Sequence, residues 1–545
     1  MGVPVRATNT RRRRRLILAA AVVLVVVITV LGVLQLAPGG EEADSAASAT
    51  IEAARDLSAA ELTNRFLDAL TAGDATAAGA VTDDPKDAVA TIARVWRGMA
   101  PEYAVADRTR VVEPKPGAGA VDEPFTLTWE LGAERTWAYD STLRVVRGDD
   151  GWRVRWQPTL IHPRLGSGQS LVLRDRAGQP AVVDRSGTPL LTWTETDPTA
   201  ATPAVAPLLL PSMARVASRT GGVDGWYVAV ADQAGKDRAV LHGRRTKALT
   251  STVSRSIQQA AQAAVDAQSE ATLLVAMQPS TGNLLAMAQN QAAGNDLGML
   301  QGLYPPGSAF KLATATAILE SGAADTGTVV PCPGSVTVGG RTVRNANFAL
   351  GDVPLRTAFA QSCNTTFAMQ AAKLPPARLA AAAGELGLNA DFDIPGISTE
   401  AGTARPAASA AEQVENSIGQ GKVLVSCFGM ALMTSTIAAG HAVTPSLWRE
   451  LPTTVNSGYR APSAAVLGSV RTMMRDVVTS GRGSALAKYG AVYGKTGTAQ
   501  VGDGTQAHGW FTGYRDDVAF AVVVLDGSSS DTAVAVTGRF LAAAR

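Results

Sequence analysis

The sequence predicts a multidomain α+β protein with a single N-terminal transmembrane helix, and three observations lead there. Residues 11–15 are all arginine and run straight into 16–36, a stretch of twenty-one residues without a charge. Beyond it, helical and strand-like apolar spacings follow each other in separate stretches. The length of 545 residues, at roughly 150 residues per domain, suggests three or four domains.

About 20 apolar residues cross a bilayer as a helix, and flanking arginines hold the N-terminus in the cytoplasm. A cleaved signal peptide is the rival, but its apolar core runs to about 7–15 residues and ends at a small-residue site. The longer run here reads as a signal-anchor. Residues 1–15 are then a cytoplasmic tail, 16–36 the membrane span and 37–50 a Gly/Glu/Ala/Ser tether, with the body outside the cell membrane.

Leu62, Phe66 and Leu70 fall at i, i+4 and i+8 and predict a helix stopped near Gly73. A second helix is expected over 86–99. Phe125, Leu127 and Trp129 then alternate, and strands over 142–147 and 153–156 flank a turn at 148–151. Two helices and an antiparallel sheet make an α+β unit over 51–163. Residues 164–250 read as mixed strand and loop, a linker or pedestal domain. Within it Asp184-Arg185-Ser186-Gly187 reads as a surface turn with paired charges, and the Pro-, Thr- and Ala-rich 193–212 as loop. A helix over 252–267, a buried strand over 271–277, a turn at 279–283 and a strand over 284–288 open an α/β domain covering 251–545.

Composition removes several chemistries. Formal net charge is +2, and six arginines with no acid stand in the first fifteen residues, so the remainder carries −4. That is no nucleic-acid footprint. The four histidines are scattered and the three cysteines show no C-x-x-C spacing, which argues against a metal or haem site. No serine sits in G-x-S-x-G. The base of any catalytic serine is therefore expected not to be histidine.

Lysine is scarce, nine residues in all, and two of the nine stand in telling places. Pro305-Pro306-Gly307 breaks the chain before Ser308-Ala309-Phe310-Lys311 and an Ala- and Leu-rich helix. Ser308 and Lys311, at i and i+3, share one face of its first turn. A serine hydroxyl needs an adjacent base to become a nucleophile, and lysine serves only if burial or a second cation lowers its pKa. Alone, S-x-x-K also describes a capping serine with a surface lysine. Ser362-Cys363-Asn364 sits on a loop between helical stretches and offers a hydroxyl to relay a proton and an amide to hold a carbonyl. Lys495-Thr496-Gly497-Thr498 lies on a strand where Gly497 admits close backbone approach, and Lys495 supplies the second cation.

Together S-x-x-K, S-x-N and K-T-G resemble the penicillin-binding and serine β-lactamase group, whose middle element is typically Ser-Asp-Asn. Cys363 in place of that Asp is similar to the high-molecular-weight penicillin-binding proteins. Ser417-Ile418-Gly419-Gln420-Gly421 and Gly509-Trp510-Phe511-Thr512-Gly513-Tyr514 resemble the class B transpeptidases of that group. The layout of 51–163, closing on Trp156-Gln157-Pro158 and Ile161-His162-Pro163, resembles the cone-shaped N-terminal domain of the low-affinity staphylococcal penicillin-binding protein. The resemblance implies a dimerisation-type linker over 164–250 and a transpeptidase domain over 251–545.

It also implies a D,D-transpeptidase cross-linking peptidoglycan stem peptides in cell-wall synthesis. Ser308 is the implied nucleophile, Lys311 its base, Ser362 and Asn364 the relay loop. Lys495, Thr496, Gly497 and Thr498 form the implied carboxylate and oxyanion strand. β-Lactam antibiotics would acylate Ser308, and no metal or organic cofactor is needed. Membrane glycosyltransferases or division and elongation proteins are the implied partners. A role in cell shape and in antibiotic resistance goes with the family. A membrane-anchored β-lactamase and a non-catalytic β-lactam receptor are the competing readings. A Cys332–Cys363 bridge and buried free thiols are equally compatible with the sequence, while His508 and Trp510 read as packing residues.

Overall fold

The helix expected around Leu62, Phe66 and Leu70 forms over Ala59–Thr71 (α1) in a computed structural model of the chain. The structure describes residues 57–544 apart from 111, 113, 116, 133, 134, 195, 221–224, 244–246, 503 and 505. The membrane span expected over 16–36 and its tether therefore lie outside the described residues. No helix among the described residues is long and apolar enough to cross a membrane.

A capping box starts α1: Glu61 N–H donates to Ser58 Oγ, and Ser58 N–H to Glu61 Oε2 at 2.9 Å. Leu62, Phe66 and Leu70 are fully buried. A short helix α2 (Ala75–Ala80), too brief to show a period, precedes α3 (Pro85–Met99), which Asp84 caps and Pro85 opens. Strands β1 (Tyr103–Arg108), β2 (Ala120–Glu130), β3 (Thr136–Gly148) and β4 (Gly151–Val154) pair antiparallel in sequence order. Phe125, Leu127 and Trp129 point into one core with the helices, as period-2 alternation requires.

Strands β5 (Ser170–Arg174), β6 (Tyr227–Ala231) and β7 (Asp237–Gly243) form a second sheet in the order β7-β6-β5. Leu171, Val228 and Val230 join the core of α1 to α3. Among the described residues, these strands thus belong to a first compact unit, 57–174 with 226–243, while 175–225 and 247–544 make up the second. The interval 164–250 is shared between the two.

In the second unit, Pro180–Val183, Pro189–Trp193, Pro198–Ala200 and Leu249–Thr250 build a four-stranded sheet. Helix α4 (Leu210–Thr220) and the strand Pro198–Ala200 occupy part of the segment expected to be loop. Its buried Leu210, Met213, Val216 and Ala217 do keep helical spacing, but Pro211 and the Pro-rich lead-in hide it. The turn at Asp184 is a second correction. Asp184 is fully buried, accepting N–H bonds from Ser186 at 2.8 Å and Thr188 at 2.9 Å beside the Arg255 guanidinium.

The rest of this unit surrounds a five-stranded antiparallel sheet. Its strands are β8 (Thr272–Met277), β9 (Leu284–Gln289), β10 (Val492–Val501), β11 (Gln506–Arg515) and β12 (Val518–Val524), in the order β9-β8-β12-β11-β10. Helices α5 (Arg255–Asp266), α6 (Lys311–Glu320), α7 (Leu355–Ala360), α8 (Asn364–Ala371), α9 (Cys427–Ala439), α10 (Ala464–Thr479) and α11 (Ser530–Ala543) pack around it. Leu274 and Ala276 share a core with α5 and α11, while Leu273, Val275 and Met277 join the larger core that contains α9. Both faces are covered, which is why β8 reads as an unbroken apolar run rather than an alternation. Strand β10 stays at the open edge of the sheet, where it faces the N-terminus of α6.

Candidate active site

Three segments meet at that edge. Gly307–Phe310 forms a single 3-10 turn that leads directly into α6. Helical side chains lean toward the N-terminus, so Lys311 reaches back and places Nζ 2.9 Å from Ser308 Oγ. Lys311 is fully buried and shows only that one end to the cleft.

The turn is held by glycines. Gly307 takes φ +54°, and its N–H donates to Gly419 O at 2.9 Å. A Cβ on Gly307 would collide with Thr498 O, one on Gly419 with Gly307 O, and one on Gly497 would come within 2.6 Å of Pro306 O. Three backbones therefore approach more closely than any side chain allows, which fixes Ser308 against β10. Trp510 Nε1 donates to Pro305 O at 3.0 Å and steadies the same turn. The packing role expected of Trp510 and of His508, whose ring meets Tyr304 edge-on, is what the structure shows.

Ser362 occupies the loop between α7 and α8 with φ +61°, a left-handed backbone uncommon outside glycine. Lys311 Nζ lies 2.9 Å from Ser362 O, 3.4 Å from Ser362 Oγ and 2.6 Å from Asn364 Oδ1. Lys495 Nζ approaches Ser362 Oγ from the other side at 2.9 Å. The Ser362 hydroxyl thus stands between two amines. Thr496, Gly497 and Thr498 line the same cleft of about 810 Å³ as Ser308, Ser362 and Asn364. All eight residues singled out from the sequence are brought together.

Burial, reinforced by the nearby Lys495 charge, holds Lys311 well below the ordinary lysine range. Lys495 is brought down to about 7, first by burial and then by the Arg482 guanidinium. Phe367 and Phe359 cover the two amines, each ring 5.6 Å away. A neutral amine beside a serine hydroxyl at neutral pH is a general base in position.

Of the two readings the sequence left open for the cysteines, Cys332 and Cys363 form the disulfide, while Cys427 is free and buried. Other contributors were not visible in the sequence. Asn345, with no motif around it, accepts the N–H groups of Asn364 and Thr365. Arg482, within an ordinary-looking Gly-Arg-Gly turn, borders the cleft.

Residues 272–543 match the family model of the penicillin binding protein transpeptidase domain, and 58–169 that of the NTF2-like N-terminal transpeptidase domain. The chain belongs to the penicillin-binding transpeptidases. The family resemblance carried by the motifs, including that of the N-terminal unit, is borne out. Among curated penicillin-binding transpeptidases, the chain is 29% identical to peptidoglycan D,D-transpeptidase PbpA of Mycolicibacterium smegmatis, over 50% of this chain and 64% of the relative. It is likewise 29% identical to PbpA of Mycobacterium tuberculosis, with the same coverage. The match thus spans a little under two thirds of these relatives' length.

Among solved structures, the D,D-transpeptidase domain of a peptidoglycan glycosyltransferase from Eggerthella lenta aligns at 25% identity and TM-score 0.53. That alignment covers 68% of this chain and 98% of that one. Penicillin-binding protein A from M. tuberculosis, as an imipenem acyl-enzyme complex, aligns at 25% identity and TM-score 0.50, covering 55% and 80%.

Proposed function

We propose that this chain is a peptidoglycan D,D-transpeptidase acting through a Ser308 acyl-enzyme. The observation that carries the proposal is Lys311, buried and held well below the ordinary lysine range, at 2.9 Å from Ser308 Oγ. Lys311 takes the Ser308 proton as Oγ attacks the penultimate D-Ala carbonyl of a stem peptide. Backbone N–H groups of Ser308 and Thr498 receive the oxyanion, a contribution worth about 3–4 kcal/mol per donor in other enzymes. Ser362, between the two lysines, passes its proton to the departing D-Ala nitrogen as the C–N bond breaks and takes in its place the one Lys311 holds. Lys495, Thr496 and Thr498 bind the terminal carboxylate. An amine of a neighbouring stem peptide then attacks the ester, Ser308 recovers its proton, and the cross-link forms. No metal or organic cofactor takes part.

The relatives support the substrate class: the mycobacterial proteins are named peptidoglycan D,D-transpeptidases, and the M. tuberculosis protein forms an acyl-enzyme with imipenem. β-Lactams, as mimics of the D-Ala-D-Ala end, are proposed to acylate Ser308 here too. We place the body outside the cell membrane, anchored by 16–36, with membrane glycosyltransferases or division and elongation proteins as partners. The Cys332–Cys363 disulfide favours that compartment, since such bonds persist where thiols are oxidised.

The test is exchange. The purified chain, given a stem pentapeptide and a labelled D-amino acid, should release D-Ala and incorporate the label. Release without incorporation would mark a hydrolase instead.

A further inference from the structure

Asn364 Oδ1 lies 2.6 Å from Lys311 Nζ and 3.4 Å from Ser308 Oγ, so the orientation of this one amide matters to the reacting pair. An amide presents an acceptor at one end and donors at the other, and a half-turn would aim Nδ2 at Lys311. What prevents it is the carbonyl of Arg344, which can only accept and takes Asn364 Nδ2 at 3.0 Å.

The next residue, Asn345, secures the backbone beneath. It is buried, 7% exposed, at the end of the hairpin Ser335–Val338 and Arg341–Arg344. Its Oδ1 accepts the N–H groups of Asn364 at 2.8 Å and Thr365 at 3.2 Å, two of the unpaired donors that open α8. Its Nδ2 donates to Pro333 O at 2.9 Å and to Thr365 Oγ1 at 3.2 Å, and lies 3.4 Å from both sulfurs of the disulfide. Every polar atom of this side chain is engaged, and none reaches the cleft residues Ser308 or Lys311.

We propose that Asn345 is a positioning residue for the acylation step: it fixes the backbone of Asn364 so that the side-chain amide, oriented by the Arg344 carbonyl, stands with Oδ1 at Lys311. Asn364 Oδ1 then receives the ammonium that Lys311 becomes on taking the serine proton, in a charge-assisted hydrogen bond. The inference rests on the function proposed above, because only there does Lys311 gain that proton.

A double-mutant cycle on the full chain tests it, with the first-order acylation rate of benzylpenicillin resolved from its binding constant. N345L removes every bond of the side chain and should slow acylation by about 10- to 100-fold, as displaced catalytic groups do, with binding little changed. In an N364A background the same substitution should cost less than about threefold, because the residue it acts through is gone. N345D keeps the acceptor for both N–H groups but turns a carboxylate oxygen on Pro333 O, where Nδ2 donated, so its rate should fall between those of N345L and wild type. If N345L folds poorly, N345S, which retains one acceptor, enters the same cycle with an expected loss of about three- to tenfold.

Equal losses in both backgrounds, or an N345L rate equal to wild type, would overturn the inference while leaving the function intact. A wild-type chain that forms no adduct on Ser308 would overturn the function, and this inference with it.

Discussion

Two lysines converge on one serine hydroxyl, Lys495 at 2.9 Å and Lys311 at 3.4 Å from Ser362 Oγ. Their nitrogens are about 6 Å apart at most, and at an effective dielectric near 20 two such charges repel by about 3 kcal/mol. Both are also fully buried, so both ammonium forms are disfavoured and Lys311 is held well below the ordinary lysine range. A base works only when unprotonated. The acylation rate should therefore rise with pH through the depressed pKa of the pair and level off above it. Stopped-flow acylation across about pH 5 to 9 measures this, and a flat profile would remove the base role. Lys311→Ala should cut acylation by about 10²- to 10⁴-fold, the range for losing a general base. These side chains were legible because the spacing of S-x-x-K and the order of the three motifs carry chemical constraint. Asn345 was not, because an asparagine that caps a helix from a distant hairpin leaves no local pattern.

At the scale of elements, the site depends on how closely segments approach. Gly419 takes φ +73° with the Gly307 backbone directly against it. Gly419→Ala adds a clash to an unfavourable backbone, so it should lower the acylation rate by at least about tenfold and also the melting temperature. Labelling kinetics with thermal melts would show both, and an unaffected variant would mean the turn holds Ser308 by other means. The disulfide closes the loop from Cys332 to Cys363, a separation of 31 residues, and ties the start of α8 to Pro331 and its neighbours. Chain-entropy reasoning gives about 3–4 kcal/mol for a loop of that length, so Cys332→Ser should lower unfolding free energy by an amount of that order in denaturant titration. The sequence located α1 by its i, i+4, i+8 spacing and β8 by its unbroken apolar run. It missed α4, where proline obscures the period, and the buried Asp184 turn. The charge paired with Asp184 there is Arg255, about seventy residues further along the chain.

For the whole molecule, the question is whether the acyl-enzyme goes to an amine or to water. Five glutamates lie between Asn364 and Lys495, and each already has a partner. Glu385 pairs with Arg378, Glu412 with Lys422 and Glu415 with Arg341. Glu400 accepts from Gly402 N–H, and Glu450 from Thr250. Glu415 borders the cleft, but the Arg341 guanidinium holds its carboxylate, so a β-lactam adduct should persist for many minutes. Nitrocefin in excess should give a stoichiometric burst and then little turnover, whereas sustained hydrolysis at several per second would mark a β-lactamase. The proposed anchor over 16–36 belongs to this scale too: a reporter active only outside the cell, fused after residue 50, should work while staying in the membrane fraction. Release into the medium with a processed N-terminus would contradict the anchor.

The central claim is that Ser308 is the nucleophile that Lys311 activates, and mass spectrometry of the chain after incubation with benzylpenicillin tests it most directly. One penicilloyl group per chain on the peptide containing Ser308, absent from Ser308→Ala, is the predicted result. An adduct that survives in Ser308→Ala, or that maps to Ser362, would contradict it.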